Sequence, residues 1–118
     1  MVDSLPPFEE FWKDSILPLV GTRLAFDNGG NMELIKVGWE GVTRKSVTGR
    51  QGLIPIEPFL WTVEQLRRVG RVTRAEINQQ FDDRYTDAVM LILAQAREIA
   101  LEGHPRELVL TTGEGSGG

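Results

Sequence analysis

The 118-residue chain has no cysteine, one histidine and one tyrosine. Lack of cysteine rules out a disulfide framework, a thiolate zinc site and a cysteine nucleophile together; a reducing, cytoplasmic setting is the expected address. No apolar run approaches the roughly 20 residues that span a bilayer, so no membrane association is expected. The opening stretch MVDSLPPFEE is acidic and carries two prolines, without the basic region and long apolar core of a secretory signal. Serine-type catalysis needs a base, and the one histidine, His104, stands in a Gly-His-Pro turn after a helical pattern, where a solvated or hydrogen-bonded turn residue is the better reading. A non-enzymatic protein is expected.

Carboxylates remain as candidate ligands. Asp82, Asp83 and Asp87 cluster between two helical patterns, a position where aspartates cap helices or face solvent, so neither a metal nor a cofactor is expected. Asp27 with Glu33-Leu-Ile-Lys36 is similar to the carboxylates and lysine that restriction-type nucleases hold around magnesium. Two residues separate Glu33 from Lys36, which in a regular strand puts them on opposite faces, and the likeness fails there. The glycines of Asn28-Gly-Gly-Asn31 and Thr48-Gly49-Arg50 lack the strand, loop and helix setting of a phosphate-binding loop and read as hairpin turns.

With 41% hydrophobic and 25% charged residues, the chain has the make-up of one globular domain over 1–112. The final GEGSGG, 113–118, cannot pack and is expected to be disordered or a linker. Phe8, Phe11, Trp12, Ile16 and Leu19 recur at helical spacing and predict a first helix over 7–17, stopped by Pro18 and Gly21. Strands are expected over 22–26, 32–39, 42–47 and 52–56, an antiparallel meander of three or four strands in which Pro55 confines the last to an edge. A second helix is expected over 58–69, ended by Gly70 in a left-handed cap. The capping-box pattern Thr73-Arg-Ala-Glu76 predicts a third over 74–81. A long fourth helix, 87–102, capped by Thr86 and apolar around much of its circumference, is expected at the centre of the core, followed by one edge strand over 107–111. The fold class is therefore α+β. Core packing is the expected place of Trp12 and Trp61, while Trp39 stands beside a turn.

Charge is segregated. The chain carries a net −4, yet between Val42 and Ala75 seven basic residues face two acidic ones, a local excess of +5 that leaves −9 elsewhere. The seven are Arg44, Lys45, Arg50, Arg67, Arg68, Arg71 and Arg74. Residues 60–96, and above all Gly70-Arg-Val-Thr-Arg-Ala-Glu-Ile77, resemble the winged helix-turn-helix of small bacterial DNA-binding domains. The resemblance implies nucleic-acid binding in an accessory part of a bacterial or phage defence or regulatory assembly. Its recognition helix would be Ala88 to Ala96, which is mostly apolar where that family presents base-reading side chains, and a single strand follows where that family has a two-stranded wing. Binding is therefore expected through the seven basic residues, which would neutralise phosphates with little sequence reading. The competing expectation is a protein-interaction module or inhibitor that meets a basic partner through Glu9, Glu10, Asp14, Asp82, Asp83, Asp87, Glu98 and Glu102.

Overall fold

Helix α1 (Phe8–Phe11) begins after Pro7 and buries Phe8 and Phe11 while Glu9 and Glu10 face solvent at its positive end. Pro18 has no amide to donate to the turn before it, and the helix widens into a π turn (Trp12–Ile16) before tightening into a 3-10 turn (Leu17–Leu19). The apolar stripe is kept throughout, with Trp12 and Ile16 fully buried. This computed structural model describes residues 5–26, 29–81, 83–103 and 106–111, with only the backbone of Asp83. Residues 1–4, Asp27, Asn28, Asp82, His104, Pro105 and 112–118, on which parts of the sequence reading fell, lie outside the described residues.

Strands β1 (Arg23–Ala25), β2 (Asn31–Gly38), β3 (Gly41–Ser46) and β4 (Gln51–Pro55) form one antiparallel sheet in that order, with β4 and its proline at an edge. Register assigns the faces. Leu24 opposes Met32, and Val37, Val42 and Ile54 form a row across three strands; these turn inward, with Leu34, toward the helices. Arg23, Glu33, Lys45 and Gln51 form a row on the outer face. The pairing slips between Leu34 and Lys36, leaving Ile35 as the extra residue of a bulge. That bulge overturns the expectation for Glu33 and Lys36: Lys36 opposes Thr43 on the same outer face as Glu33.

Helix α2 (Ile56–Val69) starts two residues before its expected position and ends at Gly70, whose φ of 90° makes the left-handed cap. Strand β5 (Arg71–Thr73) follows, between the two expected helices where no strand was expected. Helix α3 (Arg74–Gln80) opens on the expected capping box: Thr73 Oγ1 accepts the Glu76 amide at 3.1 Å and Glu76 Oε1 accepts the Thr73 amide at 2.8 Å. Thr73→Ala is expected to lower stability by about 1 kcal/mol, read as a denaturation midpoint.

Helix α4 (Asp83–Leu93) corrects the expected 87–102 at both ends. Thr86 lies inside it, fully buried, and its hydroxyl donates to Asn78 Oδ1 on α3 instead of capping a new helix. At the other end Gln95 and Ala96 donate back three residues, to Ile92 and Leu93, the tightening that ends many helices. Ile99 and Leu101 then belong to strand β6 (Ile99–Glu102), which pairs with β7 (Glu107–Leu110). The second sheet has the order β5-β7-β6, so β7 is central where an edge strand was expected. A two-stranded hairpin thus follows α4 where the sequence reading had one strand. Helix α4 is central as expected, with Ala88, Val89, Met90, Ile92 and Leu93 all buried.

The two sheets and the helices share one buried apolar cluster. Trp12 joins their parts. Its indole donates to the Gly38 carbonyl at 3.0 Å, its ring stacks on Phe8 and meets Phe59 edge-on, at 5.3 and 5.0 Å between centroids. Trp61 is partly buried and edge-on to Phe81.

Candidate functional site

The seven basic residues do not share one surface. Alternation along β3 sends the neighbours Arg44 and Lys45 to opposite faces: Arg44 opposes Leu34 and Gly52 on the inner face, Lys45 opposes Glu33 and Gln51 on the outer one. Three of the four corner arginines, Arg67, Arg71 and Arg74, are engaged by carboxylates. Arg71 grips Glu107 of β7 with Nε at 3.1 Å from Oε1 and Nη2 at 2.8 Å from Oε2, and hydrogen bonding to that carboxylate raises its pKa further above the ordinary arginine value. Arg74 Nε donates to Asp87 Oδ1 at 2.8 Å. Arg67 lies 3.6 Å from Glu64 and donates to the Leu5 carbonyl at 3.4 Å. Arg68 is exposed near the end of α2.

What the fold does assemble is a groove at the polar end of the first sheet. Toward the tip of the β3–β4 hairpin the inner-face rows change from Val37-Val42-Ile54 to Leu34-Arg44-Gly52 and Met32-Ser46. The first turn of α4 ends over those rows: Arg44 Nη2 donates to the Arg84 carbonyl at 3.4 Å. A groove of about 430 Å³ lies between them, lined by Arg44, Ser46, Arg50, Gln51, Gly52, Leu53, Arg84, Tyr85, Phe26, Asn31 and Met32. Three guanidinium-bearing residues therefore meet from β3, from the β3–β4 turn and from α4, and no carboxylate lines the groove among the described residues.

Local chemistry explains the shape. Gly52 opposite Arg44 leaves the inner face empty at that point, since a Cβ built there meets nothing within 4 Å. Arg44 is half-buried; desolvation pushes its pKa below the ordinary value, and the neighbouring Tyr85 works against that shift. A cation with part of its hydration removed gains more from an incoming anion than one in open water. Arg84 Cζ lies 5.9 Å from the centroid of the Tyr85 ring, so a planar cation and an aromatic ring border the same space.

Arg84 and Tyr85 were missed in the sequence because Asp82, Asp83 and Asp87 surround them and any charge window there reads as acidic. The signal that could have found them is an arginine and an aromatic side by side at the start of a helix, a pairing useful for nucleic-acid surfaces.

Other candidates fare differently. Asp87 is occupied by Arg74; Asp82 and the Asp83 side chain lie outside the described residues. Among the described residues no group of three His, Cys, Asp or Glu side chains is placed to hold a metal ion. On the outer face Glu33 sits 3.8 Å from Arg23, and Lys36 sits 3.6 Å from Glu40, so the two members of the nuclease-like pattern share a face but each is engaged by a neighbour. A second concavity of about 510 Å³ lies between α1 and the β2–β3 turn, lined by Glu9, Glu10, Lys13, Asp14 and Trp39, the last 54% exposed. No helix among the described residues is long and apolar enough to cross a membrane.

Comparison with protein-family models, with curated proteins and with solved structures finds no match to this chain.

Proposed function

We propose that this protein binds nucleic acid without transforming it, using the groove where Arg44, Arg50 and Arg84 converge. The carrying observation is that convergence: three guanidinium side chains from separate elements of an acidic protein line one concavity. Phosphate is the anion that guanidinium forks suit best, through paired N–H donors of fixed geometry. Ser46, Gln51 and Asn31 supply further polar groups beside them.

The resemblance to winged helix-turn-helix domains gains support from the order of elements after the first sheet: helix α2, strand β5, helices α3 and α4, then the β6–β7 hairpin, with β5 beside β7. In such a domain α4 would be the recognition helix. Its buried body from Ala88 to Leu93, broken only by partly exposed Leu91, favours a departure from that scheme. The accessible part of α4 is its first turn, and Arg84 and Tyr85 of that turn belong to the groove. Binding is then dominated by backbone phosphates, with weak sequence preference.

The test is anisotropy of a labelled oligonucleotide of about 20 residues, titrated from roughly 50 to 200 mM salt. Three neutralised phosphates give a slope of log affinity against log salt between about −2 and −3. No binding at the lowest salt would sink the reading.

One observation favours a second reading, contact with a basic protein partner. Trp39 is the most exposed of the three tryptophans and stands beside Glu9, Glu10 and Asp14, where the ring face and carboxylates would together suit a lysine or arginine side chain. If that surface is a contact, Trp39→Ala should weaken binding of an arginine-rich peptide about tenfold while leaving the thermal midpoint unchanged; equal binding by both proteins removes it.

A further inference from the structure

We infer that the Arg44 groove takes a single strand rather than a duplex, with one base lodged against Tyr85 and Phe26 and its phosphates on the arginines. This rests on the nucleic-acid reading above and narrows it to a strand type. Size and depth are the first argument. The groove holds about 430 Å³, the scale of a pocket for one small ligand and far below the bulk of a double helix. A duplex offers its phosphates from the outside of a stiff rod, and its bases are stacked and paired within. Arg44 stands on the inner face of the sheet, half-buried under the first turn of α4, where only a group that enters the groove can reach it.

Composition of the walls is the second argument. Tyr85 and Phe26 are both partly buried and both line the groove, and the Arg84 guanidinium borders the Tyr85 ring. Aromatic faces and guanidinium planes are the surfaces on which unpaired bases stack, and they accept every base because each has a π face. A site meant only for backbone phosphates has no need of them. Gly52 supplies the third argument, for it removes a side chain opposite Arg44 at the point where a base would sit, and its backbone angles do not demand glycine.

The experiment compares oligothymidine of about 12 residues with a blunt duplex of the same length, at roughly 50 mM salt, on the intact protein and on Tyr85→Leu, Tyr85→Phe and Gly52→Leu. The single strand is expected to bind at least about tenfold more tightly than the duplex. Tyr85→Leu should weaken it about tenfold while Tyr85→Phe, which keeps the ring, changes it by less than about twofold. Gly52→Leu alters no charge and fills the groove, so it should weaken the strand by a similar factor, and it keeps the test open if Tyr85→Leu fails to fold. A strand carrying 5-iodouracil should photocrosslink to the peptide that contains Tyr85 or to that of Phe26. Equal or tighter duplex binding, unchanged binding by folded Gly52→Leu, or crosslinks confined to other peptides would overturn the single-strand inference and leave nucleic-acid binding standing. Failure of both strands to bind at low salt instead removes the underlying function.

Discussion

Gly41→Ala is expected to destabilise the protein by more than about 3 kcal/mol, enough in a domain of this size to lower its melting temperature by roughly 10 °C or more. Gly41 begins β3 with φ at 140°, a conformation that side-chain-bearing residues rarely adopt. It is paired on both sides, with Gly38 of β2 and Pro55 of β4. A Cβ there would collide with the Ile54 carbonyl oxygen and lie 3.0 Å from both the Ile54 carbonyl carbon and the Ile56 amide nitrogen. None of these can yield cheaply. Ile54 is a buried core residue and the Ile56 amide donates to the Glu40 carbonyl at 2.9 Å, so relief would shift β4 and the start of α2 together. Gly52→Ala is the control, since its Cβ meets open space and its φ is ordinary; it should change the midpoint by less than about 2 °C. Thermal melts followed by circular dichroism decide the matter, and a near-native midpoint for Gly41→Ala would show that the β2–β3–β4 junction is not as tight as described.

The sequence was most informative where a local chemical device decides the structure alone. Gly70, Thr73 and Glu76 mark one helix end and the next helix start through a left-handed cap and a capping box, and both form as expected. Turn residues and Pro55 marked the meander and its edge. Legibility ended where tertiary pairing overrides a local pattern. Val89 to Leu101 reads as one apolar helix, yet the chain turns after Leu93 because Ile99 to Glu102 gains a partner in β7; neither strand's four-residue pattern announces that pairing. Bulges are equally silent, and the one at Ile35 changed which side chains share a face. At the site, a sum of charges along the window from Val42 to Ala75 does not divide them by face. Strand alternation alone separates Arg44 from Lys45, a step available from sequence. The pairing of Arg71 with Glu107, 36 residues away, and the arrival of Arg84 beside Arg44, 40 residues away, depend on the closed fold.

Arg44→Glu combined with Arg50→Glu is expected to weaken oligonucleotide binding by at least about 100-fold at roughly 50 mM salt, whereas Arg67→Glu combined with Arg71→Glu should weaken it by no more than about fivefold. Both double variants change the net charge by the same amount, so the difference isolates position. A hydrogen bond to a charged group contributes about 1.5–3 kcal/mol, and two of them lost in the groove account for the larger factor before repulsion is counted. At the corner, Arg71 already spends its donors on Glu107, and Arg67 is shared between Glu64 and the Leu5 carbonyl. Reversing them acts on a strand in the groove mainly through screened charge, which fades over about 10 Å at 0.1 M salt. The salt dependence separates the two cases further. Losing two phosphate contacts flattens the slope by about 1.4 for a single strand, at roughly 0.7 per phosphate, while corner variants should keep the slope of the unaltered protein. If the corner pair abolishes binding and the groove pair leaves it intact, the binding surface lies around Arg67, Arg68 and Arg71 after all, and the groove has no part in it.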